Sequence, residues 1–234
     1  MSHNRSMLII SGNSPKRLQD ASVFNPDLLV LDLAEGVSNE EKDCARLLVK
    51  EAIGFMDYEN VDIVVRINTL ESGFGAEDIE VVAKANPAAL MIPQASVKTL
   101  QDVEKRLDKA EKEAGLEQGK IKLYPVIESV KALEDVSSIL AASTRVAGVF
   151  FNGDGLAKEL GITRTREGEE ILYARSKVAL ACRVAGLDSF DTPYNDGNDP
   201  EGLEIDASKA HNLGFSGKAA INGRQIDIIH RIFA

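Results

Sequence analysis

Three charged side chains stand where β-prone runs stop, and their types suit chemistry on an oxygen-rich ligand. Leu123–Ile127 is a short apolar run that ends at Glu128, with Ser129 placed to cap a following helix. Val146–Phe151 repeats the pattern about 25 residues later and empties into Asn152-Gly153-Asp154-Gly155, with a helix expected from near Leu156. Val61–Ile67 carries Arg66 next to its end. Glutamate is a poor turn former and is uncomfortable at the edge of a core without a partner, so Glu128 reads as a functional group. Asp154 also fits an ordinary strand-to-helix turn, because aspartate caps helices and tolerates unusual backbone angles. Two carboxylates at neighbouring strand ends suit a shared divalent cation or acid–base work. Arg66 suits bidentate recognition of a carboxylate or carbonyl, the alternative being a salt bridge to Asp32 or Glu35.

These residues converge only if the strands run parallel, and the order of elements says that they do. Strand-like runs at Met7–Ile10, Leu28–Leu33, Val61–Ile67, Ala88–Ile92, Leu123–Ile127, Val146–Phe151, Leu187–Phe190 and Lys218–Ile221 alternate with helical patterns across short connections. Ser38-Asn39-Glu40-Glu41 reads as a capping box, followed by an apolar stripe at Ala45, Leu48, Val49, Ala52, Ile53 and Met56. The helix from Glu167 to Ala185 stops at Gly186, a residue suited to a left-handed C-cap. Eight strand–helix pairs in 234 residues predict one TIM (β/α)₈ barrel spanning residues 1–234. A doubly wound sheet is the runner-up, but Ser11-Gly12 does not open the G-x-G-x-x-G turn that such a sheet usually carries. The strand ends of the barrel read Ser11, Asp32, Arg66 with Asn68, Gln94, Glu128, Asn152 with Asp154, Asp191 with Thr192, and Asn222, a polar ring around one mouth.

Composition narrows the partners. Asp and Glu total 37 against 27 Lys and Arg, a formal charge of −10, so there is no basic footprint for nucleic acid or for an anionic membrane. The first residues lead into a four-residue apolar run, too short for a signal sequence, and no stretch reaches membrane-span length, so a cytoplasmic location is expected. Cys44 and Cys182 lie far apart in helical patterns and are assigned no function; His3, His211 and His230 show no zinc-ligand spacing.

Several of these stretches together resemble the citrate lyase β-subunit family. They are Gly12-Asn13-Ser14-Pro15-Lys16-Arg17, Leu29–Leu33, Val65-Arg66-Ile67-Asn68, Ile127-Glu128-Ser129, Thr165-Arg166-Glu167-Gly168, Phe190–Tyr194 and Leu213–Lys218, in order along nearly the whole chain. The resemblance implies a TIM barrel that cleaves or forms a C–C bond in 3-hydroxyacyl-CoA thioesters such as citryl-, citramalyl- or malyl-CoA, with Mg²⁺. It implies that Arg66 is the active-site arginine, that Glu128 is one of two magnesium ligands, and that the Gly12–Arg17 turn receives coenzyme A, with Lys16 and Arg17 toward its phosphates. It also implies a homo-oligomer, trimer or hexamer.

The chain departs from the family pattern at named places. The family's second metal ligand is an Asp in a Gly-Ala-Glu-Asp loop, where this chain has Asn152-Gly153-Asp154-Gly155 with Gly155 in the ligand's place, so Asp154 is expected to serve after a shift of one residue. The acidic turn after the second strand becomes Leu33-Ala34-Glu35, and the acid expected for the departing enolate is water or a mouth residue such as Glu35, one methylene longer than the family's Asp. Asn222-Gly223 stands for the family's Asn-Pro. The sequence ends at Ala234, whereas the family continues into a segment that covers a neighbour's site, so the expectation is a slow enzyme, or one whose mouth a partner chain covers. The alternative is a catalytically weak barrel that binds acyl-CoA or a partner protein.

Overall fold

Side chains alternate between the two faces of a strand, so the parity of each residue decides whether it faces the barrel interior or the helices outside. The computed structural model describes residues 4–56, 58 and 61–234, which leaves His3 outside the described residues. Eight parallel strands close into a barrel in sequence order: β1 (Ser6–Ser11), β2 (Leu28–Asp32), β3 (Asp62–Arg66), β4 (Ala89–Ile92), β5 (Lys122–Ile127), β6 (Gly148–Phe151), β7 (Asp188–Asp191) and β8 (Gly217–Ala220). Pairing of Met7 with Ala219 joins β1 to β8 and seals the barrel. The TIM-barrel expectation therefore holds over the described chain.

Parity sorts the core into two layers. Met7, Leu28, Val30, Val64, Met91, Tyr124, Val126, Phe150 and Phe190 fill the barrel, while Leu29, Leu31, Val65, Leu90, Leu123, Ile127, Val149 and Phe151 pack outward against the helices. Counting on by two from the interior residues brings Asp32, Arg66, Glu128 and Asn152 inward at the carboxyl ends, which is the mouth. Asp191, one step from interior Phe190, faces outward instead. It is fully buried and binds Arg175 (2.6 Å) and Lys218 (2.6 Å), with Asp206 completing the cluster, so it leaves the polar ring expected around the mouth and ties β7 and β8 to the surrounding helices.

The helices follow the sequence signals with local differences. Ala45, Val49 and Ala52 of the helix Lys42–Phe55 are buried, as the stripe predicts, and Ser129 caps its helix by accepting from the Ala132 N–H. Gly186 takes the left-handed conformation (φ 68°) that a β-carbon disfavours. Ser38 does not form the expected capping box: its hydroxyl donates to the Glu41 carboxylate, and a 3₁₀ turn over Asn39–Glu41 precedes the helix. The helix expected near Leu156 starts at Gly153 because Asn152 supplies the cap, its Oδ1 accepting from the Gly155 N–H.

Candidate active site

The mouth is organised by one buried ion pair. Arg66 Nε donates to Asp32 Oδ1 (2.7 Å) and Nη2 to Asp32 Oδ2 (2.6 Å), a fork-to-fork arrangement in which both side chains are more than nine-tenths buried. Nη2 also reaches Glu35 Oε2 at 3.1 Å. Burial would lower the Arg66 pKa, but the hydrogen bonds and charge of Asp32, with those of Glu35, outweigh it and raise the value, so the guanidinium stays charged. Both carboxylates offered as alternative partners of Arg66 are thus engaged at once, and the guanidinium still lines the mouth cavity. Its hydrogen bonds run to Asp32 and Glu35 rather than toward Glu128.

The turn that carries Glu35 is held from three sides. Asp32 accepts from the Ala34 N–H (2.8 Å) and the Gly36 N–H (3.0 Å), while the Ser11 hydroxyl donates to the Gly36 carbonyl. Buried Lys42 gives all three of its protons to carbonyls of the same turn, those of Leu33, Ala34 and Val37, at 2.9–3.1 Å. Burial pushes the Lys42 ammonium down from its ordinary value. Glu35 itself remains two-thirds exposed at the tip and, among the described residues, is anchored through Arg66 alone, which leaves its carboxyl open to a ligand.

Glu128 differs from the other mouth acids in what surrounds it. Its Oε1 accepts from the backbone N–H of Gln94 (2.8 Å) and its Oε2 from the side-chain amide of Asn152 (2.9 Å). Among the described residues it has no cationic partner, although it is half-buried. Gln94 takes a positive φ of 47°, unusual for a residue with a β-carbon, and this conformation aims its N–H at Glu128. Asp154 is placed otherwise: Oδ1 accepts from Arg164 Nη1 (2.9 Å) and Oδ2 from the Asn195 amide (2.8 Å). Arg164 in turn binds Glu170.

Two cavities meet at this mouth. One, of about 770 Å³, is lined by Glu128, Gln94, Ser129 and Asn68; the other, of about 480 Å³, by Asp32, Arg66, Asp154 and Arg17. Glu35, Gly155 and Lys158 belong to both and mark the waist between them. Lys16 and Arg17 are both exposed, and of the two it is Arg17 that lines the second cavity. Asp32, Glu35, Glu128 and Asp154 therefore line one mouth, divided into an Arg66 half and a Glu128 half.

Whether a divalent cation fits can be judged from the donors. Among the described residues no three acidic, histidine or cysteine side chains form a ready cage. Magnesium does not need one, since it commonly takes one or two carboxylates and fills the rest of its shell with water and ligand oxygens. A carboxylate with neutral partners on both oxygens, no counter-ion and an open cavity beside it fits that role, and Glu128 is such a group. Asp154 differs in that one of its oxygens is paired with the Arg164 guanidinium, which competes with a cation for its charge.

The sequence places Asn152 and Gln94 in the polar ring without assigning them a role, and it does not single out Arg164 or Lys42 as parts of the site. Asn152 carried a signal, since it follows interior Phe150 by two. The others act through backbone conformation or reach across loops, which residue spacing does not reveal.

A closed barrel with an arginine and several carboxylates at the carboxyl mouth defines a TIM-barrel enzyme built for an oxygen-rich ligand. The chain belongs to the HpcH/HpaI aldolase/citrate lyase family, whose profile matches residues 5–223. It is 35% identical to citrate lyase subunit beta of Haemophilus influenzae over all of this chain and 81% of that protein. It is 28% identical to the mitochondrial citramalyl-CoA lyase of Homo sapiens, over 98% of this chain and 71% of that one. These relatives are carbon–carbon lyases. The fold matches CitE of Mycobacterium tuberculosis, solved with magnesium, acetoacetate and coenzyme A, with a TM-score of 0.83 at 24% identity, covering 99% of this chain and 81% of that one.

Proposed function

We propose that the protein is a Mg²⁺-dependent lyase that cleaves a C–C bond in a 3-hydroxyacyl-CoA thioester of the citryl-, citramalyl- or malyl-CoA type. The observation that carries this reading is Glu128, a carboxylate without a counter-ion among the described residues, facing the same mouth as the Arg66 guanidinium in a chain of this family. Glu128, with Asp154 as second ligand, would hold the ion, which when bound polarises a carbonyl and stabilises an enolate oxygen.

The chain's own residues account for the rest. Arg66, locked by Asp32, presents a fixed guanidinium to the substrate carboxylate or carbonyl, so no reorganisation is needed as charge develops. As the C–C bond breaks, the substrate hydroxyl passes its proton to the Glu35 carboxylate, the carbon that bore the hydroxyl becomes a carbonyl, and the electron pair passes to the thioester enolate. Glu35, exposed at the waist between the cavities, delivers a proton to the enolate carbon. Arg17, with Lys16 beside it, meets the phosphates of the coenzyme at the rim.

A second reading, a barrel that binds acyl-CoA with weak turnover, is favoured by one observation: Asp154 is neutralised by Arg164. Titrating the protein with Mg²⁺ and an acyl-CoA while assaying acetyl-CoA release separates the two, since the weak-barrel reading gives binding without turnover.

We also infer assembly into a homo-oligomer, trimer or hexamer. Tyr173, Leu180 and Val184 recur at i, i+7 and i+11 on the helix Leu172–Ala185 and are exposed by 70%, 65% and 90%, an apolar stripe suited to a neighbouring copy. Light scattering tests this, and a monomer at micromolar concentration contradicts it.

A further inference from the structure

Asn152 joins the helix that bears Asp154 to the carboxylate of Glu128, and its amide can point only one way. Its Oδ1 faces the Gly155 N–H (3.1 Å), a donor, and its Nδ2 faces Glu128 Oε2 (2.9 Å), an acceptor, so exchanging the two amide atoms would set donor against donor and oxygen against oxygen. The residue is 6% exposed, so its amide has little access to water. Glu128 is thus oriented by a neutral group that leaves its charge uncompensated.

Residue 155 is part of the same arrangement. A β-carbon built there would lie 2.9 Å from Glu128 Cβ, 3.1 Å from Asn152 Nδ2 and 3.2 Å from Glu128 Oε2. Its φ is not positive, so the backbone does not require glycine; the space does. The carboxamide of Asn152 therefore occupies room beside Glu128 that a side chain at 155 would otherwise claim, and an amide stands where an acid would make a two-carboxylate clamp.

We propose that Asn152 is a positioning residue that sets how Glu128 takes a divalent cation: it fixes the carboxylate toward the cavity and, by contributing no charge, keeps cation affinity low. This rests on the reading of Glu128 as a cation ligand. A weakly held ion is one that substrate oxygens help to retain, so cation and substrate bind as a pair.

Calorimetric titration of the full chain with Mg²⁺ and with Mn²⁺, without substrate, tests it. Asn152→Asp keeps a capping oxygen for the Gly155 N–H and adds a carboxylate beside Glu128, and cation affinity should tighten about tenfold or more. Asn152→Ser keeps a capping oxygen and withdraws the amide donor; Glu128 loses its orientation, and affinity should fall about tenfold with the melting temperature close to that of the native chain. Affinities within twofold of the native value in both folded variants would overturn the proposal while leaving Glu128 a ligand. Binding to Asn152→Asp with none to the native chain supports the proposal and rejects Mg²⁺ dependence of the native enzyme. No binding to any of the three overturns both.

Discussion

Arg66 grips Asp32 with two parallel hydrogen bonds, Nε to Oδ1 at 2.7 Å and Nη2 to Oδ2 at 2.6 Å, while the same Nη2 reaches Glu35 at 3.1 Å. The pair is buried and sits at the end of two adjacent strands whose register places Asp32 opposite Arg66. One guanidinium thereby connects a structural carboxylate to an exposed one, and the chemistry available to Glu35 depends on how Arg66 is held.

Arg66→Lys keeps the charge and loses the planar fork. A lysine satisfies at most part of the Asp32 carboxylate and cannot reach Glu35 in the same geometry. We expect kcat/KM to fall by roughly two orders of magnitude, with a loss of only about 1–3 kcal/mol in stability because Asp32 retains a cationic neighbour. Steady-state kinetics beside denaturant melts give both numbers, and unchanged kinetics would make Arg66 structural.

Glu128→Gln preserves shape and removes the charge. One amide atom must then face a donor already in place, either the Gln94 N–H or the Asn152 amide. Mg²⁺ binding should be lost and turnover should fall about a thousandfold, while the barrel keeps its cooperative melt. Retained cation binding would place the ion elsewhere.

Arg164→Gln asks whether Asp154 is a second ligand. Arg164 holds one Asp154 oxygen and also binds Glu170, anchoring the connection that follows the helix Gly153–Leu160. Without the guanidinium, Asp154 is free to turn toward a cation, and Mg²⁺ affinity should rise severalfold. An affinity that falls or stays constant would leave Glu128 as the only acidic ligand from this chain.

Much of this arrangement was legible in the sequence. The barrel followed from eight alternating pairs at nearly minimal length, and the inward aim of Glu128 follows from parity with Val126. Asp191 was misplaced in the mouth because strand ends were read without that count: one residue past interior Phe190 it must face the helices, where Arg175 and Lys218 await it. The partners of Glu128 and Asp154 were hidden for a different reason. Gln94 contributes through a left-handed backbone that its side-chain type does not announce, and Arg164 reaches Asp154 across ten residues of loop and helix.

At the amino-terminal end of the barrel, His230 Nε2 lies 2.7 Å from the Ser6 hydroxyl and 3.4 Å from Asp27, and burial lowers its pKa below 6.5 against the pull of Asp27. The unfolded chain then binds a proton before the folded one does, so this stabilisation is complete above pH 6.5 and is lost as pH falls through the lower folded value. His230→Gln cannot titrate. Melting temperatures of native and variant protein, measured from pH 8 to pH 5, should converge or cross as the native curve drops below pH 6.5; parallel curves would contradict the assignment.

Mg²⁺-dependent thioester cleavage is tested by mixing purified protein with Mg²⁺ and, separately, citryl-, citramalyl- and malyl-CoA, and following acetyl-CoA release by chromatography. Cleavage of at least one thioester that stops when Mg²⁺ is chelated, and that falls about a thousandfold in Glu128→Gln, is the predicted result. Absence of acetyl-CoA from all three at saturating Mg²⁺, or equal rates with native protein and Glu128→Gln, would contradict it.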